Sequence, residues 1–269
     1  MGIPALQPPP PAPHPPPTVA WKHPPNDRRL RLPLTTTPHN PAQARPRVLI
    51  TAGPTQEPID AVRFISNRSS GRMGAALSIA GVSRGWVVSL LMGPGTVIPG
   101  DARVRLQRFR TTSDLQSLLH QSIGTADILI MAAAVSDYRP RVDPAFFGGK
   151  FRRKSEALHL TLEPTPDLLA EVAQSRRPGQ LLVGFALEPR ADLTAAALEK
   201  MHRKRIDMVV ANPLETMDSE HIEATVFSAD GSPPHSFGPG PKPDAALWLT
   251  GLIDQRWRSL QAESTSPPV

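Results

Sequence analysis

The chain has no cysteine among its 269 residues. This excludes a disulfide scaffold, a thiolate metal site and a cysteine nucleophile within the chain. It also lacks an uninterrupted run of about 18 apolar residues, the length of a transmembrane helix. The first residues, MGIPALQPPPP, have no apolar core segment, so we expect no secretory signal there.

Two common phosphate-binding motifs are also missing. The chain contains neither the dinucleotide pattern GxGxxG nor the P-loop pattern GxxxxGK[ST]. A nucleotide site in this sequence would therefore need a different loop. The net charge of +6 leaves nucleic-acid binding open as a further class of function.

Proline and positive charge are concentrated in residues 1–46. This segment holds 15 of the 33 prolines and a net charge of +4, which leaves a net charge of only +2 for residues 47–269. Because proline cannot donate a backbone hydrogen bond, we predict a disordered, basic, Pro-rich tail. A PxxP ligand or a phosphate-seeking arm is the alternative interpretation. Residues 47–269 would form one folded domain, with the last few residues disordered.

Strand and helix patterns alternate from residue 47 onward. This alternation predicts an α/β, Rossmann-like fold with a mostly parallel sheet and helices on both faces. The predicted strands span 47–52, 87–92, 104–109, 127–135, 158–162, 181–186, 208–211 and 224–231. Ligands of such sheets bind at the carboxyl ends of the strands, and the loops there are the first place to look.

Capping residues give the predicted helix boundaries. One helix starts near Ser69 or Ser70 and ends at Gly85; another opens with a Ser113/Gln116 capping box and runs to Gly124. Thr165 would cap a third, with Pro166 in its first position. A fourth covers 191–205. The last covers 244–261, with these side chains facing inward: Leu247, Leu252, Ile253 and Trp257.

The loop 51–74 follows the first strand and reaches a helix at Ser69, Ser70, Gly71 and Arg72. Backbone N–H groups at a helix start, with an arginine nearby, suit a phosphate or a carboxylate. An ordinary strand–helix connection explains the same residues. The pattern therefore leaves the two interpretations open.

Charged groups follow later strands. Asp137 comes after strand 127–135 and suits a sugar hydroxyl, a base amine or a water on Mg²⁺, or else a helix cap. The basic loop 148–154 could close over a triphosphate, or be a solvated surface loop. Lys200 and Lys204 lie four residues apart on one helix face and could equally complement the helix dipole. Arg203 and Arg205 are predicted to point elsewhere.

Six segments in this order resemble the phosphopantothenate–cysteine ligase (phosphopantothenoylcysteine synthetase) family over roughly residues 47–261. They are ITAGPTQEPIDAVRFISNRSSGRMG, MAAAVSDYRP, KFRRK, EPTPDLL, VGFALE and KMHRKRIDMVVAN. The resemblance implies a ligase that joins 4′-phosphopantothenate and L-cysteine in coenzyme A biosynthesis. It further implies CTP as the nucleotide, an acyl-CMP intermediate, and Mg²⁺ with the triphosphate, although its protein ligands stay open.

The resemblance also assigns roles to individual residues. The implied catalytic residues are Asn67, which handles the acyl-nucleotide, and Lys150, the first lysine of the triphosphate flap. The implied nucleotide-binding residues are Lys150 again with Met131, Ala132, Ala133, Asp137, Pro166, Asp167, Leu168, Phe185, Lys200 and Lys204. We assign to phosphopantothenate the early loop residues Gly53, Ser69, Ser70, Gly71 and Arg72.

The sequence departs from the family pattern at several positions. Arg152 and Arg153 stand where the flap usually has lysines, and Arg72 where lysine is frequent. Pro213 replaces an acidic residue, and segment 217–224 lacks the usual Gly/Asn-rich loop. A nucleotide-binding relative with impaired catalysis is therefore the alternative to an active ligase.

The family is often fused behind a flavin-dependent decarboxylase, and 46 residues are too few for that domain. We therefore expect a stand-alone ligase without flavin, with the decarboxylase encoded elsewhere. The resemblance also implies a homodimer in the cytoplasm, with no nucleic-acid or membrane partner.

Overall fold

A computed structural model describes residues 45–141, 149–150, 152, 155 and 157–265. The predicted tail, residues 1–46, lies outside the described residues except for its last two. The same holds for residues 266–269 at the other end. Among the described residues, no helix has the length and apolarity needed to cross a membrane.

The fold is the predicted α/β architecture. Its strands are β1 (Arg47–Pro54), β2 (Gln56–Pro58), β3 (Phe64–Ser66), β4 (Val87–Met92), β5 (Arg105–Arg108), β6 (Ile128–Ala134), β7 (Tyr138–Pro140), β8 (Leu162–Pro164), β9 (Leu181–Glu188), β10 (Met208–Pro213), β11 (His221–Ser228) and β12 (His235–Pro241). Its helices are α1 (Arg72–Ser83), α2 (Thr112–Ser122), α3 (Leu168–Gln174), α4 (Leu193–Lys204) and α5 (Lys242–Thr265). Short 3₁₀ turns cover Ile123–Thr125 and Leu214–Thr216.

Eight strands form the central sheet in the order β12-β11-β10-β9-β6-β1-β4-β5. The strands from β10 to β5 are parallel, and β11 and β12 are antiparallel additions at one edge. Two small hairpins, β2–β3 and β7–β8, stand outside this sheet. A mostly parallel sheet is therefore confirmed.

Successive strand residues point to opposite faces, and both faces are covered by helices. Val48 and Ile50 pack with α1 and α5 on one face. Leu49 and Leu129 pack with α2, α3 and α4 on the other. Burying a side chain of this size stabilises the fold by about 1.5–3 kcal/mol, so these two apolar layers fix the helices and the loops between them.

The helix starts differ from the predicted ones. Helix α2 is capped by Thr111, whose hydroxyl accepts the Asp114 N–H at 3.1 Å, while the Asp114 carboxylate accepts the Thr111 N–H at 2.9 Å. The Ser113/Gln116 capping box is therefore wrong. Buried Glu57 explains the earlier start, since its carboxylate accepts both the N–H and the hydroxyl of Thr112.

Helix α3 is likewise capped by Asp167, whose carboxylate accepts the Ala170 N–H at 3.1 Å, and not by Thr165. The Thr165 hydroxyl is already used, because it donates to the carbonyl oxygen of Ser136. Pro166 consequently precedes the helix. Helix α1 spans Arg72–Ser83, and Gly85 follows its C-cap Arg84. The end is a Schellman motif, with the Trp86 N–H donating to the Gly81 carbonyl at 3.0 Å.

Two further expectations were wrong, and one strand was missed. The strand predicted over 158–162 is confined to Leu162–Pro164, and Leu247 is 52% exposed because the buried stripe of α5 passes through Ala245, Ala246 and Leu249. Strand β12 was not predicted, since its sequence HSFGPGP resembles a turn. Its position at the sheet edge tolerates proline, which lacks the donor that an inner strand needs.

Candidate functional site

The hairpin β2–β3 brings Asn67 to the carboxyl edge of the sheet. The Thr55 hydroxyl accepts the Ser136 N–H at 3.0 Å and donates to the Ser136 hydroxyl at 3.1 Å, which joins the ends of β1 and β6. The Ser66 hydroxyl donates to the Thr55 carbonyl at 2.7 Å and holds the end of the hairpin there. Asn67 follows directly.

The Asn67 amide has a defined orientation. Its Nδ2 donates to the carbonyl oxygens of Ala134 at 3.1 Å and Val135 at 3.2 Å, so both amide hydrogens are used. Among the described residues, no donor contacts its Oδ1. Asn67 therefore offers an acceptor, suited to an N–H group of a ligand.

Helix α1 begins where β1 ends, and its close approach needs glycine. Gly71, the residue before the helix, has a φ of 68°, a conformation that favours glycine. A Cβ on Gly74 would lie 2.3 Å from the Ala52 Cβ, so only glycine lets the first turn pack this tightly. The first turn thus stands directly over the end of β1, with its N–H groups at the sheet edge.

A cavity of about 610 Å³ lies along this edge. It is bounded by the start of α1, the ends of β6, β9 and β10, helices α3 and α4, and the start of α5. Its lining includes Asn67, Arg68, Ser69, Ser70, Gly71, Arg72, Met131, Ala132, Ala133, Asp137, Pro166, Asp167, Leu168, Phe185, Glu188, Lys200, Arg203, Lys204, Asp218 and Lys242.

The wall formed by the end of β6 has mostly small side chains. The Thr51 hydroxyl accepts the Ala133 N–H at 3.1 Å and donates to the Met131 sulfur at 3.4 Å, which holds this segment against β1. Ala132 and Ala133 have no bulk beyond Cβ, so a flat ligand can approach the strand backbone. Phe185 adds an apolar edge from the neighbouring β9.

Two lysines of α4 enter the cavity from the other side. Lys204 Nζ donates to Asp167 Oδ1 at 2.8 Å, and Lys200 Nζ donates to the Phe185 carbonyl at 2.5 Å. Burial opposes ionisation of Asp167, but the hydrogen bond from Lys204 is strong enough to lower the pKa of that carboxyl. Asp167 therefore caps α3 and fixes the Lys204 head group.

Burial has the larger effect on Lys200. It lowers the pKa of Lys200 to about 8, with a smaller contribution from the charge of Lys204. Nearby Glu188, Asp167 and Asp137 oppose this shift. The ammonium is thus charged at neutral pH but can lose its proton in mildly alkaline solution.

This pKa predicts how binding of a phosphate-rich ligand depends on pH. If Lys200 binds the ligand only as an ammonium, its affinity for a nucleoside triphosphate falls by about tenfold between pH 7 and 9. The measurement is calorimetric titration of the triphosphate at fixed ionic strength. In Lys200→Arg, whose side chain stays charged, the affinity should not change over this range; an unchanged fall would contradict the assignment.

The cavity has more cationic than acidic side chains. Among the described residues, six lysines and arginines line it, against the four carboxylates Asp137, Asp167, Glu188 and Asp218. Arg203 was predicted to point elsewhere, but it lines the cavity with Nη1 3.7 Å from Asp167 Oδ2. Sequence reasoning also missed Arg68, Asp218 and Lys242. The Gly- and Pro-rich sequence of β12 directly precedes α5, so the start of this helix at Lys242 could not be predicted from the sequence.

Most of the predicted site residues line this one cavity. Gly53 and Lys150 are the exceptions: Gly53 is buried with a φ of 81° beside Thr96, and Lys150 is exposed outside the lining. The Ala61 N–H donates to the carbonyl of Gly149 at 3.1 Å, next to the hairpin β2–β3. Their ligand roles stay predictions. Arg152 is exposed, and Arg153 lies outside the described residues.

Comparison with known proteins gives consistent matches. Residues 43–254 match the family described as the DNA/pantothenate metabolism flavoprotein C-terminal domain. A crystal structure of the C-terminal domain of coenzyme A biosynthesis bifunctional protein CoaBC superimposes with a TM-score of 0.67 at 30% identity. It covers 82% of this chain and 100% of that domain.

Two curated relatives have different names. The CoaBC protein of Bacillus subtilis is 34% identical over 188 residues, which cover 68% of this chain and 45% of that protein. A protein named cysteine/cysteine sulfinic acid decarboxylase, from an unknown prokaryote, is 42% identical over 169 residues, covering 63% of this chain and 46% of the relative. The chain thus spans about half the length of these relatives.

Proposed function

Because the chain belongs to the DNA/pantothenate metabolism flavoprotein C-terminal domain family, and with it to the phosphopantothenate–cysteine ligases that its motifs resemble, we propose that it joins 4′-phosphopantothenate to L-cysteine. The reaction runs through an acyl-nucleotide, with CTP as the nucleotide and acyl-CMP as the intermediate. The amide product belongs to coenzyme A biosynthesis.

One observation carries this proposal. The cavity brings together Asn67, the small-residue wall at Met131–Ala133, and the lysines Lys200 and Lys204, although these groups are far apart in sequence. A ligase of this class must hold an activated carboxyl between an amine and a nucleotide. The lining offers an acceptor for the amine, a flat wall for the nucleotide and cations for its phosphates.

In the first step, a carboxylate oxygen of phosphopantothenate attacks the α-phosphorus of CTP. A C–O–P bond forms and pyrophosphate leaves, which turns a carboxylate oxygen into part of a leaving group. Lys200 and Lys204 stabilise the charge that develops on pyrophosphate, and their positions are fixed in advance by Phe185 and Asp167. We retain Lys150 as a third triphosphate ligand on the basis of the family resemblance.

In the second step, the cysteine amine attacks the acyl carbon. The C–N bond forms, the C–O bond to CMP breaks, and a proton is released. Asn67 Oδ1 accepts an N–H of the amine and points its lone pair at the carbon. Asn67 therefore orients the amine and does not polarise the acyl carbonyl. Polarising the carbonyl would need the amide hydrogens, which already bond the carbonyl oxygens of Ala134 and Val135.

The donor set fits a magnesium ion that arrives with the triphosphate. The described residues contain no cluster of three His, Cys, Asp or Glu side chains able to hold a metal alone. Asp137 lines the cavity, and its carboxylate forms no hydrogen bond or ion pair with a side chain that the structure describes. One carboxylate plus substrate phosphates is a common set for Mg²⁺, whose charge would offset that of the phosphates. Asp137 would hold it.

The chain would work as a homodimer. Val62 and Phe64 near the tip of hairpin β2–β3 and Tyr138 on the adjacent β7 are exposed. Apolar side chains grouped on one surface favour a protein partner. A second copy of the chain is the partner that the family resemblance implies.

The proposed function is tested with a nucleotide panel. Purified protein is mixed with 4′-phosphopantothenate, Mg²⁺, cysteine and CTP, ATP, GTP or UTP, and pyrophosphate and amide are measured. We expect pyrophosphate to require phosphopantothenate and CTP, and the amide to require cysteine as well. ATP as the better substrate would correct the nucleotide assignment alone.

Two other outcomes separate the competing functions. Nucleotide binding without pyrophosphate release from a folded sample would favour the impaired relative over the active ligase. Carbon dioxide release from cysteine or cysteine sulfinic acid alone would support the activity named for the 42% identical relative.

A further inference from the structure

Glu57 is a buried acidic residue of the hairpin β2–β3 that the proposed reaction steps do not use. It is 2% exposed, and it lies outside the lining of the large cavity. Burying a carboxylate costs free energy unless hydrogen bonds compensate for the lost water. The partners of Glu57 therefore show what this side chain does.

Glu57 connects the hairpin to the start of helix α2. Its Oε1 accepts the N–H of Thr112 at 2.9 Å and the hydroxyl of Thr112 at 2.7 Å. Thr112 is the first residue of α2, where the partial positive charge of the helix end stabilises a carboxylate. The neighbouring Gln56 N–H donates to the Arg110 carbonyl at 2.7 Å. Strand β2 is thus fixed to the segment that leads into α2.

The hairpin depends on such connections because it is not part of the central sheet. A two-stranded hairpin is marginally stable by itself in water. Its strand β3 pairs with β2, and Ile65 lies opposite Glu57. Asn67 follows Ile65 by two residues. The bonds that fix β2 therefore also fix the backbone that leads to Asn67.

The loop after β6 is held by bonds that do not involve Glu57. The Thr55 hydroxyl accepts the Ser136 N–H, and the Ser136 carbonyl accepts the Thr165 hydroxyl. The Thr165 N–H donates to the Asp137 carbonyl at 2.9 Å. Loss of the Glu57 carboxylate would therefore loosen the hairpin and leave Asp137 and the two lysines of α4 in place.

We propose that Glu57 is a positioning residue that ties the hairpin β2–β3 to the N-terminus of α2 and thereby holds Asn67 Oδ1 where it accepts the attacking amine. The inference rests on the proposed function and adds a residue that acts through Asn67. Glu57 contributes to amide formation and contributes little to pyrophosphate release.

Rapid-quench kinetics of Glu57→Ala with phosphopantothenate, CTP, Mg²⁺ and cysteine test the effect on each step. Amide formation should slow by about 10- to 100-fold, because a small displacement of Asn67 misdirects the amine, while the first turnover of pyrophosphate should change by less than about threefold. In an Asn67→Ala background, Glu57→Ala should slow the amide step no further, because both substitutions remove the same interaction. Equal loss in both steps, or independent effects of the two substitutions, would overturn the inference.

Nuclear magnetic resonance of the full chain gives a readout that needs no turnover. The side-chain amide signal of Asn67, identified by its absence from Asn67→Ala, reports the hydrogen bonds to Ala134 and Val135. In Glu57→Ala this signal should move toward the position of a solvated amide. A moved signal in an enzyme that forms no amide would overturn the proposed function and leave the positioning role; amide formation with an unmoved signal would do the reverse.

Control variants separate positioning from stability. Glu57→Gln keeps an oxygen that accepts both Thr112 bonds, so its Asn67 signal should stay in place and its amide rate should stay within about threefold of wild type. Leu119→Ala leaves a cavity beneath α2 and lowers stability, but it should not change the ratio of the amide rate to the pyrophosphate rate. The same change of ratio in Leu119→Ala as in Glu57→Ala would show a merely structural role and overturn the inference.

Thr112→Val is the milder variant if Glu57→Ala does not fold. It removes the hydroxyl that donates to Glu57 and keeps the backbone N–H. Its amide rate and Asn67 signal should change in the same direction as in Glu57→Ala, by a smaller amount. A Thr112→Val protein with the wild-type signal and the wild-type amide rate would count against the connection through α2.

Discussion

Asn67→Ala is expected to lower the kcat of amide formation by about 100-fold, because the amine loses the acceptor that directs it at the acyl carbon. Pyrophosphate release from phosphopantothenate and CTP should still occur once per site, since Lys200 and Lys204 are intact. Rapid-quench measurement of pyrophosphate and amide in one sample separates the two steps. Equal loss of both would contradict the assigned role.

Two variants control this prediction. In Asn67→Asp a carboxylate would face the carbonyl oxygens of Ala134 and Val135, where repulsion replaces two hydrogen bonds, so activity should fall as far as in Asn67→Ala. Gln116→Ala removes an amide from α2 that bonds Glu171 at 2.8 Å, away from the cavity. Its kcat should stay within a factor of two.

Gly74→Ala is expected to destabilise the protein by about 1–3 kcal/mol, although alanine favours a helix over glycine. The new Cβ would lie 2.3 Å from the Ala52 Cβ and 3.2 Å from the Ala52 Cα. Because the Cα is part of the backbone, a side-chain rotation cannot relieve this contact. Helix α1 must move off β1, taking Gly71 and Arg72 with it. Denaturant unfolding and phosphopantothenate affinity should therefore change together.

A double-mutant cycle tests the cause of this loss. Ala52→Gly removes the atom that the new Cβ would meet, so Gly74→Ala should cost much less in that background. Gly124→Ala is the control for the substitution itself, because a Cβ there meets nothing within 4 Å. Its free energy of unfolding should change by less than about 0.5 kcal/mol. Additive effects of the two substitutions would contradict the packing explanation.

Apolar periodicity predicted the centre of the fold well. The buried runs at β1, β4, β6, β9 and β10 are nearly continuous in hydrophobic residues, as parallel strands covered on both faces require. Residues of β12 have no such pattern because an edge strand pairs on one side and admits proline. The helix starts were harder to predict, because they depend on residues that are distant in sequence. Glu57 accepts hydrogen bonds from Thr112, and the Ser136 carbonyl accepts one from Thr165.

The site was predictable where one motif contains both the backbone turn and the side chain. Asn67 and Arg72 fall in one loop, and their place at the sheet edge follows from the rule that ligands bind at the carboxyl ends of parallel strands. Lys242 could not be found this way. It reaches the cavity only because the antiparallel β11 and β12 return the chain to the start of α1.

The central claim is that the carboxylate becomes a leaving group through an acyl-nucleotide, and oxygen transfer tests it directly. Phosphopantothenate labelled with ¹⁸O in both carboxylate oxygens is converted with CTP and cysteine, and the products are analysed by mass spectrometry. One labelled oxygen should leave with CMP and the other should remain in the amide. Unlabelled CMP, with the label in inorganic phosphate or water, would contradict the account.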